Sequence, residues 1–130
     1  GGTLAVLADQ DAGPKGCFVD FFNRSASAYK AMALLALQYD AIMAVVYVRR
    51  LEKPLHFEMG LVDMLDPRDV TDSNPVRFIT QWYTSHLEDV IRVAPEQYWW
   101  IHRRWKSQPR RANRPSVAEK AEAEAVKRAA

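Results

Sequence analysis

The alternation of apolar and polar residues predicts strands interspersed with helices over the first 93 residues. Thr3–Ala8 is a short apolar run that ends in a polar loop, which is typical of a buried strand. A shorter extended piece is expected at 18–22. Ala41–Val48 is a continuous run rich in Val, as in a central strand. Leu55–Val62 alternates strictly, so we expect its apolar side chains on the core and antiparallel pairing with the preceding strand.

Two segments carry apolar residues at the spacing of an α-helix. The first is expected to begin at a cap formed by Ser25 or Ser27 and to run to about Tyr39. The second has Asn74 in the capping position and Pro75 at the first helical position, where a missing N–H costs nothing. This order of elements predicts an α/β fold with a mixed central sheet and helices packed against it.

Residues 94–106 concentrate aromatic side chains and cations, and we call them the aromatic–basic segment. Its large side chains are Tyr98, Trp99, Trp100, Ile101 and Trp105. Pro95 favours a helix start, and at helical spacing Tyr98, Ile101 and Trp105 would share an inward face. The other two tryptophans lie off that face. Such a segment suits either burial between two surfaces or a position at the level of lipid headgroups.

Charge is distributed unevenly along the 130 residues, although the net charge is only +2. From His102 to Pro115 there are six Lys or Arg and no Asp or Glu, which favours an anionic partner. Composition divides the chain into a domain at 1–109 and a basic linker with an Ala/Glu/Lys-rich tail at 110–130, expected to be a frayed helix or disordered. The single cysteine, Cys17, fits a reducing compartment.

Two motifs resemble those of one protein family. Residues 94–106 read Ala-Pro-Glu-Gln-Tyr-x-Trp-x-His-Arg-Arg-x-Lys, and the early part of the chain contains Asp-Gln-Asp-x-Gly at 9–13 followed by Phe-Val-x-Phe-Phe at 18–22. In this order and separation, the two blocks resemble the lipid A biosynthesis late acyltransferases, the lauroyl/myristoyl transferase family. The resemblance covers about residues 1–109. It implies a partial glycerolipid-acyltransferase-like domain.

The resemblance also implies a function. Members of this family transfer a fatty acyl chain from acyl carrier protein to a hydroxyl or hydroxyacyl group of a lipid A precursor, in lipopolysaccharide biosynthesis. The implied partners are acyl carrier protein, an anionic glycolipid acceptor and a membrane surface, without nucleic acid. No cofactor or metal is expected beyond the thioester donor. The implied location is the cytoplasmic side of the inner membrane, with the anchor in a preceding region.

The family's catalytic base, a His-x4-Asp/Glu pair, has no counterpart in this sequence. Five residues after His56, His86 and His102 stand Leu61, Ile91 and Ser107. In the family this pair precedes the Asp-x-Asp block. We therefore expect the chain to be the C-terminal half of an acyltransferase, with no catalytic residue of its own beyond a supporting role for Asp9, and to transfer no acyl group alone.

Several side chains are candidates for binding substrate. Asp9 and Asp11 follow the first predicted strand, where they can orient a base or an acceptor sugar, or alternatively cap a helix or bind Lys15. Cations suited to phosphate are Arg49, Arg103, Arg104 and Lys106, with a solvated helix end as the alternative role. Phe18, Phe21 and Phe22 are candidates for an acyl-chain groove, or for the core. The hypothesis is that the aspartate loop and the aromatic–basic segment form two walls of one cleft.

Other functions fit the sequence less closely. The same chemistry on another glycolipid, such as a phosphatidylinositol mannoside, shares the fold that the resemblance implies. A basic nucleic-acid-binding module would use the arginines and stacked aromatics instead, and its binding would depend steeply on salt. A non-catalytic homologue with a scaffolding role is a third alternative.

Overall fold

Four strands and two α-helices follow one another in the computed structural model, which describes residues 1–109. They are β1 (Cys17–Phe21), β2 (Arg24–Ala28), α1 (Ala31–Tyr39), β3 (Met43–Arg50), β4 (Phe57–Leu65) and α2 (Pro75–Val93). Short 3-10 turns lie at Pro67–Asp69 and Pro95–Gln97. The α/β class is confirmed. The predicted mixed central sheet is not found among the described strands, which form two separate antiparallel sheets, β1–β2 and β3–β4. The predicted tail at 110–130 lies outside the described residues.

The first hairpin, β1–β2, turns within two residues. Phe22 and Asn23 both have positive φ, 52° and 56°, which is the geometry that matches the twist of the flanking strands. The helix start predicted at Ser25 or Ser27 is wrong, because these residues pair with Asp20 and Phe18 in the β1–β2 ladder. Helix α1 begins at Ala31 instead, with no side-chain cap at Lys30.

The second hairpin, β3–β4, confirms the two strands predicted around 41–48 and 55–62 and their antiparallel pairing, with a bulge between Val45 and Val46. The predicted burial of the alternating face is wrong. Its side chains are exposed, Met59 to 77%. The reason is that the opposite face packs inward, with Val45 and Val62 in the core beside Tyr83 of α2.

No strand forms at Thr3–Ala8, contrary to prediction. These residues join neither sheet, so they lack the ladder that would define a strand. Leu4 and Leu7 are consequently exposed.

Helix α2 organises the core. Asn74 caps it as predicted, accepting a hydrogen bond from the Arg77 N–H at 3.2 Å. Tyr83 packs with Val19, Ala28 and Val45, and Ile91 packs with Phe21 and Ala26. The second of these clusters is completed by Tyr98 and Trp105 from the aromatic–basic segment. The core thus fixes that segment against the first hairpin.

Candidate functional site

The aromatic–basic segment is not the helix that its spacing predicts. After the 3-10 turn, Tyr98 is extended, with φ −82° and ψ 138°, and the chain continues through tight turns. Arg104 and Trp105 are consecutive, yet both contact the first hairpin. In an α-helix consecutive side chains point about 100° apart. The contacts of both Arg104 and Trp105 with the hairpin therefore favour the irregular path. Tyr98 and Trp105 lie inward as predicted, whereas Ile101 is 83% exposed.

Asp11 joins the aspartate loop to the aromatic–basic segment. Its carboxylate accepts hydrogen bonds from the Ser107 N–H (3.0 Å), the Ser107 hydroxyl (2.8 Å) and the Gly13 N–H (2.8 Å). The Asp11 N–H in turn donates to Nε2 of His102 at 2.9 Å. Burial raises the pKa of Asp11, but the hydrogen bonds from Ser107 and Gly13 outweigh it, so the pKa lies below its ordinary value. These internal donors occupy both oxygens of the Asp11 carboxylate.

Asp9 has a different position. Its backbone carbonyl accepts a hydrogen bond from the Tyr98 hydroxyl at 3.1 Å, which adds another link between the loop and the segment. Burial, and then the nearby Asp9 charge, raise the pKa of Tyr98. Within residues 1–109 no hydrogen bond engages the Asp9 side chain, which is half-buried. Among the described residues, its carboxylate is therefore the one in this loop without a hydrogen-bond partner.

Arg104 lies in the interior, only 1% exposed, and is not at the surface with the other cations of the segment. Nη1 donates to the Ser27 carbonyl at 2.5 Å, and the guanidinium lies 5.1 Å from the centre of the Phe21 ring. Among the described residues Nε and Nη2 have no hydrogen-bond partner. Burial lowers the pKa of Arg104, against the opposing effect of nearby tyrosines and aspartates. The side chain attaches the segment to β2.

Arg103 and Lys106 remain exposed and share one surface. Together with Trp99, Ile101 and His102 they line an open depression of about 340 Å³. Within residues 1–109 no acidic side chain lines it, and neither Asp9 nor Asp11 is among its lining residues. The two predicted walls therefore touch directly, while the depression lies on the outer side of the aromatic–basic segment.

Arg49 belongs to the second hairpin and is already paired. Its Nη2 lies 3.0 Å from a Glu58 carboxylate oxygen, and the Tyr47 hydroxyl donates to the other oxygen of Glu58 at 2.5 Å. The hydrogen bond and charge of Glu58 raise the pKa of Arg49. Arg49 is not among the residues that line the depression.

The three phenylalanines divide between core and surface. Phe21 is 1% exposed and packs in the core, beside Tyr98 and Trp105. Phe22, at the hairpin turn, is half-buried and contacts the Trp100 ring, with 6.0 Å between ring centres. Phe18 is half-buried on β1. Core packing thus accounts for Phe21, and an acyl-groove role stays a prediction for the other two.

Sequence reasoning missed two polar residues that hold the site. Ser107 binds Asp11, although its position just beyond the motif gave no signal. Gln97 binds both backbone groups of Arg50, accepting from its N–H at 2.8 Å and donating to its carbonyl at 2.9 Å. The signal for Gln97 was available, because it belongs to the 94–106 motif. It links the segment to the end of β3.

Residues 1–109 contain no group of three or more His, Cys, Asp or Glu side chains arranged to hold a metal ion. Neither α1 nor α2 combines the length and the apolar character needed to cross a bilayer.

Comparison with known proteins agrees with the motifs. Residues 1–107 match a family model described as bacterial lipid A biosynthesis acyltransferase. The lipid A biosynthesis lauroyltransferase of Escherichia coli (strain K12) is 30% identical over 102 residues, which make up 78% of this chain and 33% of that protein. The chain thus spans about a third of the length of this curated relative. With its two motif blocks in direct contact and the family match running through both, the chain belongs to the bacterial lipid A biosynthesis acyltransferase family.

Proposed function

We propose that this chain forms the acceptor-binding part of an enzyme that transfers a fatty acyl chain from acyl carrier protein to a hydroxyl of a lipid A precursor, at the cytoplasmic side of the inner membrane. The observation that carries the proposal is the direct contact between the two motif blocks. Three contacts make it: Asp11 with Ser107, Asp11 with His102, and Tyr98 with Asp9. Family membership supports the reaction class.

The reaction needs groups that this chain supplies only in part. The acceptor oxygen attacks the thioester carbonyl, a new C–O bond forms, the C–S bond breaks, and the carrier leaves as a thiol. A general base must take the hydroxyl proton. No His-x4-Asp/Glu pair occurs in this sequence, so in this proposal the base belongs to the part of the relatives that the chain does not match.

The available residues have distinct proposed roles. The exposed Arg103 and Lys106 bind an anionic group of the acceptor, because none of the described residues that line their depression is acidic. Asp9 orients the acceptor or the base, because its carboxylate has no hydrogen bond within residues 1–109. Asp11 and Arg104 position the two blocks and do not touch substrate.

A binding measurement tests the acceptor role. The chain should bind a phosphorylated lipid A precursor more tightly than the same precursor after removal of its phosphates. Arg103→Gln with Lys106→Gln should weaken binding of the phosphorylated form about thirtyfold, at roughly 1 kcal/mol for each charge. Arg77→Gln, which removes an exposed cation from the first turn of α2, is the matched control and should change little. Equal affinity for both forms of the precursor would contradict the proposal.

A further inference from the structure

His102 meets the aspartate loop through a bond that decides where its ring proton lies. The Asp11 N–H donates to Nε2 of His102 at 2.9 Å. A backbone amide nitrogen can only donate, so Nε2 must offer its lone pair and cannot itself carry a proton. The proton of the neutral ring is then on Nδ1. Neutral histidine in water prefers the proton on Nε2, so the aspartate loop selects the less common form.

Other contacts hold both partners of this bond in place. The carboxylate of Asp11 accepts hydrogen bonds from the N–H and the hydroxyl of Ser107. On the other side of the bond, the His102 N–H donates to the Trp99 carbonyl at 3.1 Å, and the His102 carbonyl accepts from the Arg104 N–H at 2.8 Å. The fold therefore brings the amide and the imidazole together, and the ring form is fixed before any ligand binds.

The second ring nitrogen of His102, Nδ1, has no hydrogen-bond partner within residues 1–109. The two nitrogens of an imidazole ring point away from each other, so the Nδ1–H points away from the aspartate loop. His102 is half-buried and lines the depression that Arg103 and Lys106 also line. None of the described residues that line this depression carries a carboxylate. An N–H donor beside two cations matches the chemistry of an oxyanion.

We propose that the Nδ1–H of His102 donates a hydrogen bond to an oxygen of a phosphate group bound in this depression, as a third donor beside Arg103 and Lys106. The inference rests on the proposed function and adds a binding residue to it. Lysine attracts an anion as a point charge, whereas the His102 donor has one direction and so orients the phosphate. Asp11 does not touch the phosphate. It acts on the site through the tautomer of His102, as a positioning residue.

NMR on the isotopically labelled 130-residue chain tests the tautomer directly. A spectrum that resolves the two ring nitrogens of each histidine, at neutral pH and without ligand, should show His102 protonated on Nδ1 and bare at Nε2. His86 is the internal reference. Its Nε2 lies 3.0 Å from a carboxylate oxygen of Asp63, which can only accept, so this nitrogen should be protonated. A proton on Nε2 of His102 would overturn the inference.

Two substitutions separate the donor of His102 from its acceptor, because glutamine can place its amide oxygen near the position of Nε2 and asparagine its amide nitrogen near that of Nδ1. His102→Gln should weaken binding of inorganic phosphate about tenfold at constant ionic strength, with little change in the thermal unfolding midpoint. His102→Asn should lower the midpoint by roughly 4 to 8 °C, since the Asp11 N–H loses its acceptor, and should weaken phosphate binding less. The control is His56→Gln, which removes an exposed histidine that does not line the depression and should leave phosphate binding unchanged.

The outcomes separate this inference from the proposed function. Equal phosphate affinity in His102→Gln and the unsubstituted chain would overturn the donor role, as would an equal loss in His56→Gln or no phosphate binding at all. The proposed function is judged by the preference for the phosphorylated lipid A precursor, measured in detergent. If that preference is present and His102→Gln has no effect, the inference alone is wrong. If phosphate binding needs His102 but the preference is absent, the proposed function alone is wrong.

Discussion

The two β-hairpins of this protein have similar architecture and opposite surroundings. In the first, β1–β2, the inward side chains Val19, Phe21, Ala26 and Ala28 are buried under α2 and the aromatic–basic segment. In the second, β3–β4, one face packs inward through Val45, and the other leaves its apolar residues in solvent. Alternation along a strand therefore shows that its two faces differ, whereas the neighbouring elements decide which of them is covered.

The largest difference between the hairpins should appear on truncation of an apolar side chain. Phe21→Ala removes a buried ring from the first hairpin and should lower the free energy of unfolding by about 3 to 5 kcal/mol. Met59→Ala on the second hairpin, where the side chain is 77% exposed, should change it by less than about 0.5 kcal/mol. Denaturant unfolding followed by tryptophan fluorescence measures both. Similar losses would show that the outer face of the second hairpin is covered in solution.

The next comparison is between two carboxylates, that of Asp11 in the aspartate loop and that of Glu58 on the second hairpin. Asp11→Asn weakens the junction with Ser107 and should cost roughly 1 to 2 kcal/mol of stability. Glu58→Gln, on the second hairpin, should cost much less, because solvent already screens its pairing with Arg49. Asp20→Asn changes an exposed carboxylate of β1 and serves as the control.

The role of the Asp11 carboxylate also predicts that the stability lost in Asp11→Asn depends on pH. The pKa of Asp11 is lowered in the folded protein from its ordinary value of 3.8. Its contribution to stability is therefore fully present above about pH 4 to 5 and is lost as the pH falls through the lower, folded value. The stability difference between the unsubstituted chain and Asp11→Asn should shrink over that acid range. A difference that stays constant from neutral pH to about pH 2 would refute the role given to this carboxylate.

The smallest effects concern the two turns. Leu55→Gly should stabilise the second hairpin by up to about 1 kcal/mol, because it relieves a left-handed backbone at an exposed side chain. Asn23→Gly in the first turn should change stability by only a few tenths of a kcal/mol, since asparagine tolerates that region well. Thermal unfolding of both variants gives the comparison. A larger gain from Asn23→Gly would reverse the account of where backbone strain lies.

Sequence patterns predicted local features well where a local cause determines them. Asn74 and Pro75 fixed the start of α2, and the Val-rich and alternating runs marked β3 and β4. Ser25 and Ser27 misled, because a small serine that can cap a helix fits equally well in a tightly packed strand. Residues 94–106 have helical spacing, but the packing of Tyr98 against Phe21 and the hydrogen bonds of Arg104 and Trp105 to the first hairpin override it.

The candidate site was predictable as a pair of motifs and not as a set of contacts. The two blocks were expected to form two walls of one cleft. They lie in contact, but the depression beside Arg103 and Lys106 has no lining residue from the aspartate loop among residues 1–109, so the shared cleft stays a prediction. Which cations face solvent was not readable from sequence. Arg103 and Arg104 are adjacent and chemically identical, and only their neighbours make one exposed and the other buried. The pairing of Arg49 with Glu58 was equally hidden, because it depends on the register that the turn between β3 and β4 sets.

The central claim is that the aspartate loop and the aromatic–basic segment form one cooperative unit. A double-mutant cycle on the free energy of unfolding, with Asp11→Asn and Ser107→Ala, tests it most directly. We predict a coupling energy of about 1 kcal/mol, because both substitutions disturb the hydrogen bond that the Ser107 hydroxyl donates to the Asp11 carboxylate. Effects that add to within about 0.3 kcal/mol would contradict the claim, since independent sites behave in that way.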